Sequence, residues 1–133
     1  MVTREDIESW LDRLAPDGGV REVEPGLWIV RPGGALDMDV VVSYSQSVVV
    51  LRVKVMDAPK DGARCATLNR RLLELNASDL VHGSYGISAD AIVLTEALEL
   101  AHLDYEEFLA AYESMTLSLS SHMRELAAFR EVR

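Results

Sequence analysis

A segment rich in β-branched residues, from Ser47 to Val55, constrains the fold more than any other part of the chain. Its side chains alternate with a period of two, and Arg52 and Lys54 point away from the predicted core. The preceding segment, Asp37 to Tyr44, completes a hairpin that turns at Ser45-Gln46-Ser47. The face predicted to be buried consists of Val49, Leu51, Val53 and Val55, and the opposite face includes Val48 and Val50.

Three other segments have helical periodicity. The first helix runs from Thr3 to about Leu14, where Thr3 and Asp6 form a capping-box pattern. The second runs from about Ala63 to Asn76, with Asp61 as its cap. The last follows Asp104, and we interpret its stripe as a helix that packs on its own sheet, with a coiled-coil seam as the alternative. This stripe consists of Phe108, Tyr112, Met115, Leu119, His122, Leu126 and Phe129.

The remaining strands flank turn residues. Val20 to Glu24 and Leu27 to Arg31 lie on either side of Pro25-Gly26, as one bent strand or as a hairpin. A second hairpin joins Val81–Ser88 to Ala91–Ala97. We therefore predict a single α+β domain over residues 1–133, in which helices pack on an antiparallel sheet in the order α-β-β-β-α-β-β-α, with a fourth early strand if Pro25-Gly26 reverses the chain.

Composition and charge exclude several classes of function. The chain has 133 residues, is 49% hydrophobic, and carries 22 acidic against 13 basic side chains, for a net charge of -9. Because nucleic acids and anionic membranes both attract basic surfaces, neither is expected as a partner. The single cysteine, Cys65, is predicted to be a small core residue. Without a signal-type segment or an apolar run of about 20 residues, the expected location is the cytoplasm.

Catalytic and metal-binding patterns are missing from the sequence. His82, His102 and His122 lack the spacing of metal ligands, and no nucleophile elbow or phosphate-binding loop is present. Asp37 and Asp39 remain a carboxylate pair on one strand face, but acid-base catalysis would need a pocket that separates their pKa values. We predict no enzyme activity, no cofactor and no metal.

The second half of the chain resembles the type III secretion chaperone-like fold, which the YbjN and Tir-chaperone families share. The resemblance rests on Leu72–Asn76, Gly83–Ile87, Ala91–Leu94 and Leu103–Phe108, and the stretch Glu24–Trp28 is similar to YbjN. It implies a binding scaffold rather than an enzyme scaffold.

The resemblance also implies a partner. Members of this fold hold a segment of a client protein as a homodimer that presents apolar patches. Carried over to this chain, the client would contact the first helix and the exposed face of the first sheet, and the second helix would form the dimer interface. The partner-binding candidates are Trp10, Leu14, Trp28 and Val41, and the dimer candidates are Leu68, Leu72 and Leu75.

Two other functions stay open at this point. A small-ligand-binding regulatory domain or an enzyme would need a pocket between sheet and last helix, near Gly83, Gly86 and His122. These glycines mark either a bulge or a close approach of another element. A self-associating structural protein would use the last helix, around Met115 and Leu119. The identity of the partner and the choice between the two families are not determined by the sequence.

Overall fold

Six strands form one antiparallel sheet in this computed structural model, which describes residues 1–32 and 38–130. In chain order the elements are α1 (Arg4–Leu14), β1 (Val20–Glu24), β2 (Leu27–Val30), β3 (Val40–Tyr44), β4 (Val48–Asp57), α2 (Gly62–Ser78), β5 (Ser84–Ser88), β6 (Ala91–Glu99) and α3 (Tyr105–Ala127). The strand order across the sheet is β1-β2-β3-β4-β6-β5, so β1 and β5 are the edges.

The α+β class and the antiparallel sheet are confirmed, and four strands precede α2. Pro25-Gly26 reverses the chain between β1 and β2, with Gly26 at a φ of +80°. The Gly26 carbonyl also accepts a hydrogen bond from the Tyr44 amide, which ties this turn to the end of β3. The predicted strand from Asp37 begins at Val40 in the structure, and Asp37 itself lies outside the described residues.

One face of the sheet carries the hydrophobic core. The predicted inner positions of β4 are all buried, and the charged positions Arg52 and Lys54 are exposed, as the alternation indicates. All three helices contribute to the same buried cluster, so the molecule has one layer of helices on one layer of sheet. This cluster includes Ile7 and Leu11 of α1, Leu68, Leu72 and Leu75 of α2, and Phe108, Met115, Leu119 and Leu126 of α3.

Each helix begins at the cap that the sequence predicts. Thr3 and Asp6 form a complete capping box, and Asp61 accepts hydrogen bonds from two amides in the first turn of α2. Asp104 accepts one from the Glu107 amide at 2.8 Å. No helix among the described residues is both long enough and apolar enough to cross a membrane.

The stripe of α3 packs on the sheet of its own protomer. Its members from Phe108 to Leu126 are buried, and Phe129 is partly buried against the same core. The interpretation as a helix on its own sheet is therefore confirmed. The self-association hypothesis loses its basis, because Met115 and Leu119 have at most 1% of their surface exposed.

The two glycines near β5 differ in their surroundings. Gly83 has a φ of +86°, and a Cβ there would lie 3.3 Å from atoms of both Leu94 and Met115. The predicted close approach is therefore correct for Gly83, where α3 contacts the start of β5. A Cβ at Gly86 would meet no atom within 4 Å, so no element approaches there.

We expect Gly83→Ala to lower the free energy of unfolding by about 2 kcal/mol, because alanine would be strained at a positive φ and crowded by two side chains. Gly86→Ala is the matched control and should change stability by less than about 0.5 kcal/mol. Urea unfolding followed by circular dichroism measures both, and equal effects of the two substitutions would contradict this account of Gly83.

Candidate partner-binding surface

The sheet face opposite the helices carries apolar side chains with no covering layer among the described residues. Ile29 and Val41 are direct cross-strand neighbours on this face, and Ser43 lies between Leu27 and Val50 in register. We call the five half-buried apolar residues the open-face patch: Leu27, Ile29, Val41, Val48 and Val50. A sheet that is apolar on both faces normally has a layer on each.

Positive charges border the open-face patch. Arg21 is paired with Ile29, Arg52 is paired with Val41, and Lys54 follows on the same face of β4. Arg52 donates a hydrogen bond to the neutral Thr95 hydroxyl at 3.3 Å, and Lys54 forms an ion pair with Asp57 at 2.9 Å. Arg21 and Arg52 therefore place positive charge on both sides of the Ile29–Val41 pair. Glu24, paired with Leu27, and Glu99, paired with Val48, add negative charges at the other end of the patch.

The predicted partner-binding residues lie on different sides of the sheet. Val41 is in the open-face patch, whereas Trp10 and Leu14 are half-buried in the helical layer. The Trp10 ring packs against Phe108, with 5.5 Å between ring centroids, and Leu14 lines a shallow groove between α1 and α3. Trp28 is 1% exposed in the core, so its side chain presents no surface to a partner.

The three leucines predicted for the dimer interface belong to the protomer's own core. Leu68, Leu72 and Leu75 are exposed by 0%, 4% and 1%, because this stripe of α2 faces the sheet. Their burial leaves no free surface for a second copy, and this corrects the predicted interface. A dimer contact on α2 would use its outward side, where Leu73 is 68% exposed.

A buried hydrogen-bond network joins α2, β5 and α3, and the sequence did not reveal it. His122 Nδ1 lies 2.7 Å from the Tyr85 hydroxyl, and His122 Nε2 lies 2.9 Å from Asp79 Oδ2. In the tautomer with its proton on Nε2, the His122 ring donates to the Asp79 carboxylate and accepts a hydrogen bond from the Tyr85 hydroxyl. Asp79 and His122 are 43 positions apart in the chain, so no local sequence motif predicts their contact.

The surroundings of the Tyr85 hydroxyl favour its protonated form. Burial, together with the nearby carboxylates of Asp79 and Glu125, raises the pKa of the Tyr85 hydroxyl above its ordinary value. Glu125 also forms a bidentate ion pair with Arg71 of α2, and this hydrogen bonding raises the pKa of Arg71. The network therefore acts as a structural connection between α2 and α3.

The pocket needed for a small-ligand function is not formed where it was predicted. Gly83 is packed against Leu94 and Met115, and both ring nitrogens of His122 already have partners. The groove beside Leu14 and a second depression beside Trp10 involve neither these glycines nor His122. This tight packing removes the basis of the alternative hypothesis.

The remaining candidate residues for chemistry are also dispersed. Asp39 forms an ion pair with Arg31 at 3.0 Å, and its predicted companion, Asp37, lies outside the described residues. Cys65 is only partly buried, rather than in the core as expected. Within residues 1–32 and 38–130, no three His, Cys, Asp or Glu side chains gather as metal ligands.

Comparison with known proteins relates this chain to secretion chaperones. The family model CesT_Tir_1 matches residues 2–131. A chain of the heterodimeric ExoU–SpcU complex from the type III secretion system of Pseudomonas aeruginosa has a similar structure, with a TM-score of 0.67 and 16% identity over 94% of this chain and 98% of that chain. No curated protein sequence matches the chain.

Two further solved structures have the same fold. YbjN from E. coli gives a TM-score of 0.66 at 16% identity, covering 96% of this chain and 93% of that chain. A chain of the HopA1–SchA chaperone–effector complex gives 0.60 at 10% identity, covering 93% and 99%. At such low identities these likenesses establish the fold, and they confirm the chaperone-like architecture predicted from the sequence.

We expect Tyr85→Phe to lower the free energy of unfolding by about 1 to 2 kcal/mol, because it leaves the buried His122 Nδ1 without its donor. A double-mutant cycle with His122→Ala, measured by urea unfolding, should give a coupling energy of about 1 kcal/mol. Additive effects of the two substitutions would mean that the bond contributes nothing to stability.

Alkaline pH should destabilise the protein through its buried tyrosines. Burial raises the pKa of Tyr112 to about 12, while an unfolded tyrosine ionises near pH 10. The stability that the neutral form contributes is complete below about pH 10 and is lost as pH rises toward about 12, because the unfolded chain releases its proton first. Near pH 11 the loss from Tyr112 is about 1.4 kcal/mol. The Tyr112→Phe variant should therefore lose less stability than the wild type between about pH 9 and 11, as measured by urea unfolding at each pH. An equal loss in the free energy of unfolding for the two proteins would contradict this account.

Proposed function

This chain belongs to the CesT_Tir_1 family of type III secretion chaperones, and we propose that it holds a segment of a partner protein on its open-face patch, without catalysing a reaction. The observation that carries this proposal is the second apolar face of the sheet. Val48-Val49-Val50-Leu51 is apolar at four consecutive positions, so β4 has apolar side chains toward both faces.

The chemistry of the patch defines the segment that fits it. Its apolar centre favours aliphatic or aromatic side chains, and its border of Arg21, Arg52 and Lys54 favours acidic residues beside them. An amphipathic segment of the partner with acidic flanks would supply the layer that this face lacks. Basic segments would be disfavoured by the same border.

The partner segment could also contact Trp10 and Leu14, the two predicted partner-binding residues that lie in the helical layer. Leu14 lies in the groove between α1 and α3, and Trp10 is half-buried beside the start of α3. A long extended segment could reach Val41 on one side of the sheet and these residues on the other. A chain of the solved HopA1–SchA chaperone–effector complex has this fold, which supports a protein client as the partner of this chain.

We further propose a homodimer in the cytoplasm. The resemblance to the chaperone family implies a second copy as a partner, and the outward side of α2, with the exposed Leu73, is available for it. Sedimentation equilibrium of the purified protein tests the dimer directly. A monomer at all accessible concentrations would remove this part of the proposal and leave the partner-binding part standing.

A site-specific photo-crosslinker at position 41 tests partner binding in native lysate. We expect one recurrent partner segment, rich in apolar and acidic residues, to be captured at position 41 and identified by mass spectrometry. The control places the same crosslinker at position 81, where Val81 is 83% exposed in the loop before β5. Equal capture at both positions would indicate non-specific contact and would count against the proposal.

The captured segment then allows an affinity test. Val41→Thr combined with Val50→Thr keeps the β-branched shape but replaces two methyl groups in the patch by hydroxyls. We expect the dissociation constant to rise about tenfold, or about 1.4 kcal/mol, by isothermal titration calorimetry. Val81→Thr is the control and should leave the affinity unchanged. Unchanged affinity in the double variant would exclude the open-face patch.

A further inference from the structure

The strands beneath the open-face patch are already paired on both sides. β3 pairs with β2 and β4, and β4 pairs with β3 and β6. An extended partner segment that lay on these strands would meet only their side chains, and part of its own amides and carbonyls would be left against an apolar surface without a hydrogen bond. An α-helix satisfies its backbone groups internally. The patch is therefore better suited to a helix than to a strand.

The apolar part of the patch has the width of one helix. It spans the three adjacent strands β2, β3 and β4, which is about 10 Å from the first to the last at the usual strand spacing. A helix with its side chains is about 10 to 12 Å across. Along β4, the distance from Val48 to Lys54 is about 20 Å, the length of a helix of about 13 residues. One short helix is therefore enough to cover the patch.

The charges on both borders of the patch change sign in the same direction. On β1, Glu24 lies toward one end of the patch and Arg21 toward the other. On the opposite border, Glu99 of β6 pairs with Val48 at the start of β4, and Arg52 lies four residues further along β4. Four residues of a strand span about 14 Å. The patch is consequently acidic at one end and basic at the other, along the direction of its strands.

We propose that the open-face patch binds one α-helix of the partner in a fixed direction, with the N-terminus of the helix beside Glu24 and Glu99 and its C-terminus beside Arg21 and Arg52. A helix carries partial positive charge at its N-terminus and partial negative charge at its C-terminus. This direction, parallel to β4, brings opposite charges together at both ends, and the reverse direction brings like charges together. The inference rests on the proposed function, because it specifies the conformation and the direction of the segment held on the patch.

The direction also decides where the charged residues of the partner helix lie. Acidic residues in its last turn would meet Arg21 and Arg52, and basic residues in its first turn would meet Glu24 and Glu99. Such an order opposes the dipole of the helix itself, so the free segment is only weakly helical and becomes helical on binding. The parts of the segment that lie beyond the patch can stay extended.

Two designed peptides of about 14 residues test the direction, because a helix of this length spans the patch. They share one apolar stripe, but one has lysines in the first turn and glutamates in the last, and the other has these charges exchanged. A hydrocarbon staple on the outward side gives both the same helicity. We expect the lysine-first peptide to bind the wild type about tenfold more tightly, by fluorescence anisotropy.

Exchanging the charges of one border tests the cause of this preference. Because the two borders then oppose each other, the variant with Arg52→Glu and Glu99→Arg should bind both peptides with equal affinity. Arg70→Glu with Glu8→Arg is the matched control, since it makes the same exchange in the helical layer and should keep the tenfold preference. Circular dichroism checks that both variants are folded.

Nuclear magnetic resonance of the wild type gives the direction without any substitution. A nitroxide at the N-terminus of the lysine-first peptide should broaden the methyl signals of Val48 more than those of Ile29, and a nitroxide at its C-terminus should do the reverse. The opposite pattern, or equal affinity of the two peptides for the wild type, would overturn the direction. If neither peptide binds while a partner segment is captured at position 41, the helix is excluded and the proposed function stands. Failure of that capture would instead remove the proposed function itself.

Discussion

Burial of one face of β4 under all three helices is the constraint on which the rest of the structure depends. β4 lies inside the sheet and pairs with β3 and β6, so its inner valines and Leu51 anchor the core from both halves of the chain. Because all three helices of residues 1–32 and 38–130 pack on this face, none of them covers the other. The open face keeps valines at its centre, and its exposure follows from the same arrangement that stabilises the core.

The second half of the domain is connected by polar contacts as well as by packing. His122 links Tyr85 to Asp79, Arg71 is paired with Glu125, and Asn76 binds the backbone of Tyr85. These contacts hold the short strand β5 against the ends of α2 and α3. A five-residue edge strand with a glycine at its centre has weak intrinsic strand preference, so these tertiary contacts account for its position.

The sequence predicted the elements well because their signals are local. The period of two in β4 and the caps at Thr3, Asp61 and Asp104 depend on neighbouring residues only, and the structure agrees with them. The candidate interfaces were predicted less well. Periodicity identifies the apolar stripe of α2 but does not distinguish a stripe that contacts the sheet from one that contacts a second copy.

The apolar runs in β3 and β4 also carry a signal for the open face. The consecutive valines at 40–42 and 48–50 place apolar side chains on both faces of two adjacent strands, which is typical of a sheet covered on both sides. A half-buried β4 accounts for the charged positions Arg52 and Lys54 but not for the apolar Val48 and Val50 on the same face. The open-face patch was therefore accessible from the sequence in outline, although its members come from three strands whose register the sequence does not specify.

The helices, the strands, the antiparallel class and the family resemblance can all be read from the sequence, because each of these depends on short-range patterns. The division of apolar residues between core and surface depends on the packed fold, which places Trp28 and the α2 leucines inside and Val41 outside. The packed fold alone brings Asn76 to the edge of β5 and His122 between Tyr85 and Asp79. Such contacts join residues far apart in the chain, and their energies depend on distances that only the packed fold defines.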